Sequence, residues 1–285
     1  MNYRHGYHAG NFADVVKHAV LALLLQALRR KEKPFCYLET HAGAGRYDLR
    51  SASAQKTGEY RHGIERLWGL ADLHPLLEGY LAAVRAANAE HTRDGAPALR
   101  YYPGSPWIAR ALLGPRDRMV LMELHPEQAK RLKAGFAGDK RAHVHPEDGY
   151  LGLKALLPPA ERRGLVFLDP PFEDPQEFER LARGLLDAHR RWPSGIYAAW
   201  YPIKDRPPIA RFHRLVTGSG MAKVLTAELC VRPDDVPLTL NGCGMLLVNP
   251  PWRLDRELEQ LLPWLAQRLR VDGAGKTRVE WLVPE

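Results

Sequence analysis

The chain has 285 residues, of which 45% are hydrophobic and 26% charged, with a formal net charge of +8 and a pI near 9.4. Such a chain builds a sizeable core in one large or two modest domains; lacking a membrane-length apolar run or a secretory signal, it is expected to be soluble and cytoplasmic. Cys36, Cys230 and Cys243 are too few and too scattered for a disulfide framework or a zinc site, and the basic excess is compatible with a nucleic-acid partner without requiring one.

In chain order, the arm Asn2-Tyr3-Arg4-His5-Gly6-Tyr7-His8 mixes aromatic and basic residues without periodicity. It reads either as a segment that orders on RNA or as a disordered end. Asn11 is placed to cap a helix whose apolar positions, from Phe12 and Val15 to Leu24 and Leu28, recur at helical spacing. A strand over 35–39 follows, ending on Glu39, and then the small-residue loop Thr40-His41-Ala42-Gly43-Ala44-Gly45. Residues 51–98 hold no convincing strand and read as a helical insertion. Sheet grammar resumes with a strand over 99–102, after which Ser105 is placed to cap a helix from Pro106. A strand over 117–124, a helix over 126–136, a strand over 142–145 and a helix over 150–157 come next. The strand ending at Asp169, a helix over 176–191, a strand over 195–201 and a helix over 208–217 continue the alternation. Strands over 223–231 and 244–248 finish the predicted sheet, and 254–269 is the last long helix. Strands alternating with helices predict an α/β protein.

The run Gly164-Leu165-Val166-Phe167-Leu168-Asp169-Pro170-Pro171-Phe172 carries the most chemistry. A buried strand that stops on an acid, two prolines and an aromatic delivers them outside the carboxyl end of a sheet strand, where open α/β sheets bind ligands. Proline donates no N–H, which leaves the carbonyls of Asp169 and Pro170 free to accept from an amine. This tetrapeptide is the signature of enzymes that methylate the exocyclic amine of a nucleobase. Asp169 and Pro170 would each accept one amine hydrogen and stabilise the charge that develops on nitrogen, while Phe172 stacks on the base. The bland alternative is a strand-terminating acid followed by a turn. A second copy of the grammar, Asn249-Pro250-Pro251-Trp252, has only roughly 34 residues after it, too few for the elements such a sheet still needs, and is read as structural.

Two glycines, Gly43 and Gly45, after a strand that ends on an acid suit close approach of a ligand, and Glu39 itself could hold an ammonium or hydroxyl. The third glycine of a dinucleotide fingerprint is missing, which favours a donor without a pyrophosphate, S-adenosylmethionine. Glu123 is placed to bridge two ribose hydroxyls; its alternative is an exposed acid capping the next helix.

With His8-Ala9-Gly10-Asn11-Phe12-Ala13-Asp14-Val15-Val16-Lys17-His18, Glu39-Thr40-His41-Ala42-Gly43-Ala44-Gly45, Tyr102-Pro103-Gly104-Ser105-Pro106 and Asp169-Pro170-Pro171-Phe172-Glu173, the chain resembles the bacterial RlmJ-type 23S rRNA adenine-N6 methyltransferase family over essentially its whole length. The resemblance implies a Rossmann-like S-adenosylmethionine-dependent methyltransferase fold formed by 1–50 and 99–285, with 51–98 as an inserted helical subdomain and 1–10 as an RNA-contacting arm. It implies transfer to adenine 2030 of 23S rRNA, on protein-free or early precursor RNA, by a monomer without metal. His18, His41, Ser105, Glu123, Asp148 with Gly149, and Asp169 are implied donor contacts, with Lys17 beside them, and Tyr3 and its neighbour Arg4 are implied in RNA handling. Phe172 departs from the tyrosine common in the family, which keeps stacking and removes a phenolic hydroxyl. On the residues alone, His18 reads as a helix-face histidine against the sheet and His41 as a turn-closing one. Methylation of DNA adenine and a non-catalytic RNA-binding assembly role remain alternatives.

Overall fold

The computed structural model describes residues 5–93, 96–233, 236–237, 239–271 and 275–284. After a 3-10 turn at His5–Tyr7 comes α1 (Phe12–Arg29), and then β1 (Cys36–Glu39) and β2 (Arg46–Asp48). Segment 51–98 contains α2 (Ala52–Thr57), α3 (Glu65–Trp68), α4 (Glu78–Ala86) and the two-residue strands β3 (Thr92–Arg93) and β4 (Ala96–Pro97). Next are β5 (Tyr101–Pro103), α5 (Ser105–Leu112), β6 (Arg118–Met122), α6 (Pro126–Gly135), β7 (Ala142–His145), α7 (Gly149–Leu156) and β8 (Gly164–Leu168). The chain ends with α8 (Glu177–Arg191), β9 (Ile196–Ile203), α9 (Arg206–Thr217), β10 (Val224–Cys230), β11 (Gly242–Val248), α10 (Leu254–Leu269) and β12 (Lys276–Val283).

Eight strands form one sheet in the order β12-β10-β11-β9-β8-β1-β6-β7. From β9 to β7 every pairing is parallel, and β11, β10 and β12 add antiparallel neighbours beyond β9. Strand β1 lies between β8 and β6, so the chain leaves its carboxyl end toward one side of the sheet and later returns on the other. The crevice between β1 and β8 is therefore the switch point at which such sheets hold ligands.

Helix α1 is buried continuously from Phe12 to Leu25, because it lies against the sheet with α4, α5 and α10 around it. Asn11 caps it: its Oδ1 accepts from the Asp14 amide at 2.9 Å, meeting one of the donors that a helix start leaves open. One core layer gathers α1, α5 and α10 against the sheet, and the other gathers α7, α8 and α9 on the opposite face.

Several elements differ from the sequence expectation. The strand near 99–102 does not join the central sheet: β5 pairs with β2, Tyr102 opposite Tyr47, in a separate two-stranded ladder. Its aromatic character serves burial of Tyr102 beneath the site rather than sheet extension. The insertion is not free of strands, since Thr92–Arg93 and Ala96–Pro97 pair. Helix α5 begins at Ser105 with Gly104 at the cap position, so Ser105 is not the capping residue and its hydroxyl is spent elsewhere. The predicted sheet also omits β12, an edge strand whose Lys276, Arg278 and Glu280 are exposed, a charged pattern that discourages further strand addition.

The second proline motif lies at the other end of the sheet. Strand β11 runs antiparallel to β9 and pairs Val248 with Tyr197, so Asn249 emerges at the amino-terminal ends of the parallel strands. It adopts φ +52°, and its Nδ2 donates to the carbonyls of Pro193 and Gly195, both at 2.8 Å. Asn249 ties two turns together, in keeping with a structural role.

Candidate active site

Alternation along β8 decides where Asp169 goes. Leu165 and Phe167 belong to the core layer containing α1, and Val166 and Leu168 to the other, so the next residue returns to the α1 side. There the Lys17 ammonium lies 2.5 Å from Asp169 Oδ2 and 2.9 Å from Asp14 Oδ1. Asp14 Oδ2 accepts from the Gly10 amide at 2.9 Å and sits 2.9 Å from His5 Nε2. Burial pushes the Asp14 carboxyl up, but the His5 and Lys17 charges outweigh it and hold Asp14 well below the usual range. A row of paired polar side chains, His5, Asp14, Lys17 and Asp169, thus links the amino-terminal arm to the end of β8.

These groups line a cavity of about 640 Å³ at the switch point. His18, His41, Gly43, Ser105, Glu123, Asp169, Pro170 and Phe172 all face it, together with Lys17. Gly45 does not: its φ of +85° lets the loop turn, and a Cβ there would meet Trp107 at 2.9 Å. Asp148 and Gly149 face a smaller pocket of about 220 Å³, which shares His41, Leu124, Pro171 and Glu173 with the main cavity. Asp148 also caps α7, its Oδ1 accepting from the Tyr150 amide at 2.8 Å. Tyr3 and Arg4 lie outside the described residues.

The loop after β1 is held to β6 by Glu123. Its Oε2 accepts from the Gly43 amide and its Oε1 from the His125 amide, both at 2.7 Å. Burial raises the Glu123 carboxyl, which is only 6% exposed, so the exposed helix-capping alternative does not apply. Gly43 adopts φ +62°, and a Cβ there would approach the Tyr47 hydroxyl to 2.5 Å. Glu39, expected to face a ligand, is turned inward and fully buried: it accepts from Ser105 Oγ and, at 2.9 Å, from the Tyr37 hydroxyl. Burial pushes it up to about 8, so at neutral pH it is mostly protonated. Its task is to fix Ser105.

Both histidines are held neutral. His18 Nδ1 lies 2.7 Å from the Tyr102 hydroxyl, which is 3.0 Å from that of Tyr80, and burial holds the imidazole well below its usual range. Burial likewise brings His41 down to about 4. The arm is docked rather than loose from His5 onward, with His8 Nδ1 2.9 Å from Glu59 Oε1. Asp14 and Trp200 face the cavity without having been singled out in the sequence. An acid three residues before a lysine on an otherwise apolar helix was a signal for Asp14; for Trp200 the signal was a large ring near the end of the strand after β8.

A family model described as ribosomal RNA large subunit methyltransferase D, RlmJ, matches residues 32–283. The chain belongs to the RlmJ family. Among RlmJ relatives, a protein of Escherichia coli (strain K12) named ribosomal RNA large subunit methyltransferase J is 45% identical over 285 residues, covering the whole of both chains. A Haemophilus influenzae protein of the same name is 42% identical over the same span. A Legionella pneumophila crystal structure superimposes with a TM-score of 0.88 at 34% identity, covering 96% of this chain and 98% of its own. A probable spermidine synthase of Corynebacterium glutamicum, at TM-score 0.51, 11% identity and 95% and 75% coverage, shares the fold alone. The RlmJ architecture here is thus the Rossmann-like α/β fold of methyltransferases. No helix among the described residues is long and apolar enough to cross a membrane.

Proposed function

We propose that this protein transfers a methyl group from S-adenosylmethionine to the exocyclic N6 of a flipped-out adenine in 23S rRNA, adenine 2030 by family resemblance. It acts as a monomer on protein-free or early precursor RNA. The observation that carries the reading is the placement of Asp169, Pro170 and Phe172 on one wall of the switch-point cavity. Relatives named as large-subunit rRNA methyltransferases over the full length support the polymer.

The donor set suits this cofactor. Each Glu123 oxygen accepts one backbone amide and keeps a lone pair, so the carboxylate can still take a pair of ribose hydroxyls. The φ of Gly43 leaves bare backbone at the cavity wall, and Ser105 is pinned beside it by Glu39. Neutral His18 and His41 add no positive charge that would repel a sulfonium. When bound, S-adenosylmethionine would supply an electrophilic methyl carbon, the S–C bond breaking with its electron pair left on sulfur as a neutral thioether.

A nucleobase amine is a weak nucleophile because its lone pair is delocalised into the ring. Asp169 and the Pro170 carbonyl each accept one amine hydrogen, which draws the nitrogen toward tetrahedral geometry and frees the lone pair. Lys17 holds Asp169 Oδ2, so Oδ1 is the oxygen turned to the amine. As the new N–C bond forms, the methylated nitrogen becomes positive and sheds one proton, which Asp169 is placed to accept. Phe172 covers the base, and its lack of a hydroxyl leaves stacking intact. Methyl incorporation into protein-free 23S rRNA and into duplex DNA, measured side by side, tests the reading. Labelling of RNA adenine N6 is expected; labelling of DNA alone, or no donor binding by calorimetry, contradicts it.

A further inference from the structure

Trp200 is not accounted for by the chemistry above, yet it faces the same cavity. The parallel register pairs Leu168 with Ala199, so the next position sets Trp200 beside Asp169 at the strand ends. Phe167 and Ala198 share one core layer, and two residues on, Asp169 and Trp200 share that same side of the sheet. The Lys17 ammonium that holds Asp169 lies 5.5 Å from the Trp200 ring centre. The Trp200 ring meets Phe172 edge to face, centres 5.8 Å apart and planes at 69°. On its far side Phe172 is braced by Phe178 at 4.8 Å.

Sheet order gives this corner of two rings its meaning. Strand β8 lies between β1, which carries the glycine loop, and β9, which carries Trp200. An amine held at Asp169 with the donor on the β1 side has its ring projecting toward β9, about 4.8 Å away, one strand spacing. Resting on the functional reading above, we infer that Trp200 is a second aromatic wall of the target-base pocket. It contacts the purine at an angle to Phe172 and selects a base large enough to reach both rings.

The test compares Trp200→Phe, which keeps a ring, with Trp200→Leu, which keeps bulk without one. Methyl transfer to protein-free 23S rRNA and S-adenosylmethionine affinity by calorimetry are measured on the full chain. Trp200→Leu is expected to lower kcat/KM for RNA by about ten- to a hundredfold. Trp200→Phe restores it to within about threefold of wild type, and donor affinity changes less than about twofold in either variant. Equal transfer by the two variants would overturn the inference, as would a loss of donor affinity that accounts for the loss of transfer. Wild-type transfer to rRNA in the same assay reports on the functional reading separately.

Discussion

Lys17 reaches across from α1 to place its ammonium 2.5 Å from Asp169 Oδ2, while a second carboxylate beside it, Asp14, lies one helical turn back. The side chain of Lys17 is 5% exposed and that of Asp14 3%, so neither charge is relieved by water. Lys17→Met leaves the Asp14 and Asp169 carboxylates facing each other without the ammonium between them. Breaking a buried pair from one side is expected to lower the unfolding free energy by roughly 3 kcal/mol. Adding Asp14→Asn recovers part of that stability but not turnover, because Asp169 still lacks its cation. Urea unfolding and methyl-transfer assays on the single and double variants check this; additive losses of stability would contradict it.

Phe172 stands on the cavity wall against Phe178 and Trp200. Phe172→Ala is expected to cost roughly 1 to 3 kcal/mol of base stacking, about five- to a hundred-and-fiftyfold in kcat/KM for RNA. Phe172→Tyr is expected to retain activity, since the stacking face is unchanged. Steady-state kinetics with saturating donor measures both, and a loss below twofold in Phe172→Ala would show that the ring does not meet the base.

His41 gives a pH signature. Its folded value, about 4, lies below the unfolded 6.5 because burial disfavours the imidazolium. Between those values the unfolded chain binds the extra proton, so stability is full above pH 6.5 and falls as pH drops toward 4, by about 3 kcal/mol in total. Denaturant unfolding of wild type and His41→Gln should diverge by about this total across that window. Parallel profiles would show that the imidazole titrates freely.

Glu123 fastens the glycine loop through the Gly43 amide. Glu123→Ala removes that fastening and the acceptor proposed for the donor's hydroxyls, and it is expected to weaken S-adenosylmethionine binding by about 2 to 3 kcal/mol, roughly thirty- to a hundred-and-fiftyfold. Calorimetry reads the change directly. RNA affinity should move little, which separates a donor-site defect from unfolding.

Most of the parallel half of the sheet was legible because β1, β6, β8 and β9 are largely apolar runs that stop at a polar or proline-rich loop, as at Glu39 and Asp169. The place of the motif at 169–172 was legible because a buried strand that stops on an acid and two prolines puts them at the carboxyl edge of the sheet. The loss of β12 from the predicted sheet has a plain cause: at an edge, Lys276, Arg278 and Glu280 dilute the apolar signal. Tyr101–Pro103 looked like a core strand because local sequence does not reveal which neighbour it pairs with. The inward turn of Glu39 and the contact between His5 and Asp14 depend on side chains brought together by folding, and no spacing rule encodes them. Gly45 was grouped with Gly43 by composition, whereas backbone direction separates them by two residues.

The central claim, that Asp169 and its neighbours hold an adenine amine for methylation, is tested most directly by mapping N6-methyladenine in 23S rRNA. The rRNA is taken from cells lacking this protein and from the same cells supplied with wild type or with Asp169→Ala. One N6-methyladenine is expected to vanish on deletion, return with wild type and stay absent with Asp169→Ala, whose turnover should fall on the order of a hundredfold or more. An unchanged methylation map on deletion, or full restoration by Asp169→Ala, would contradict the account.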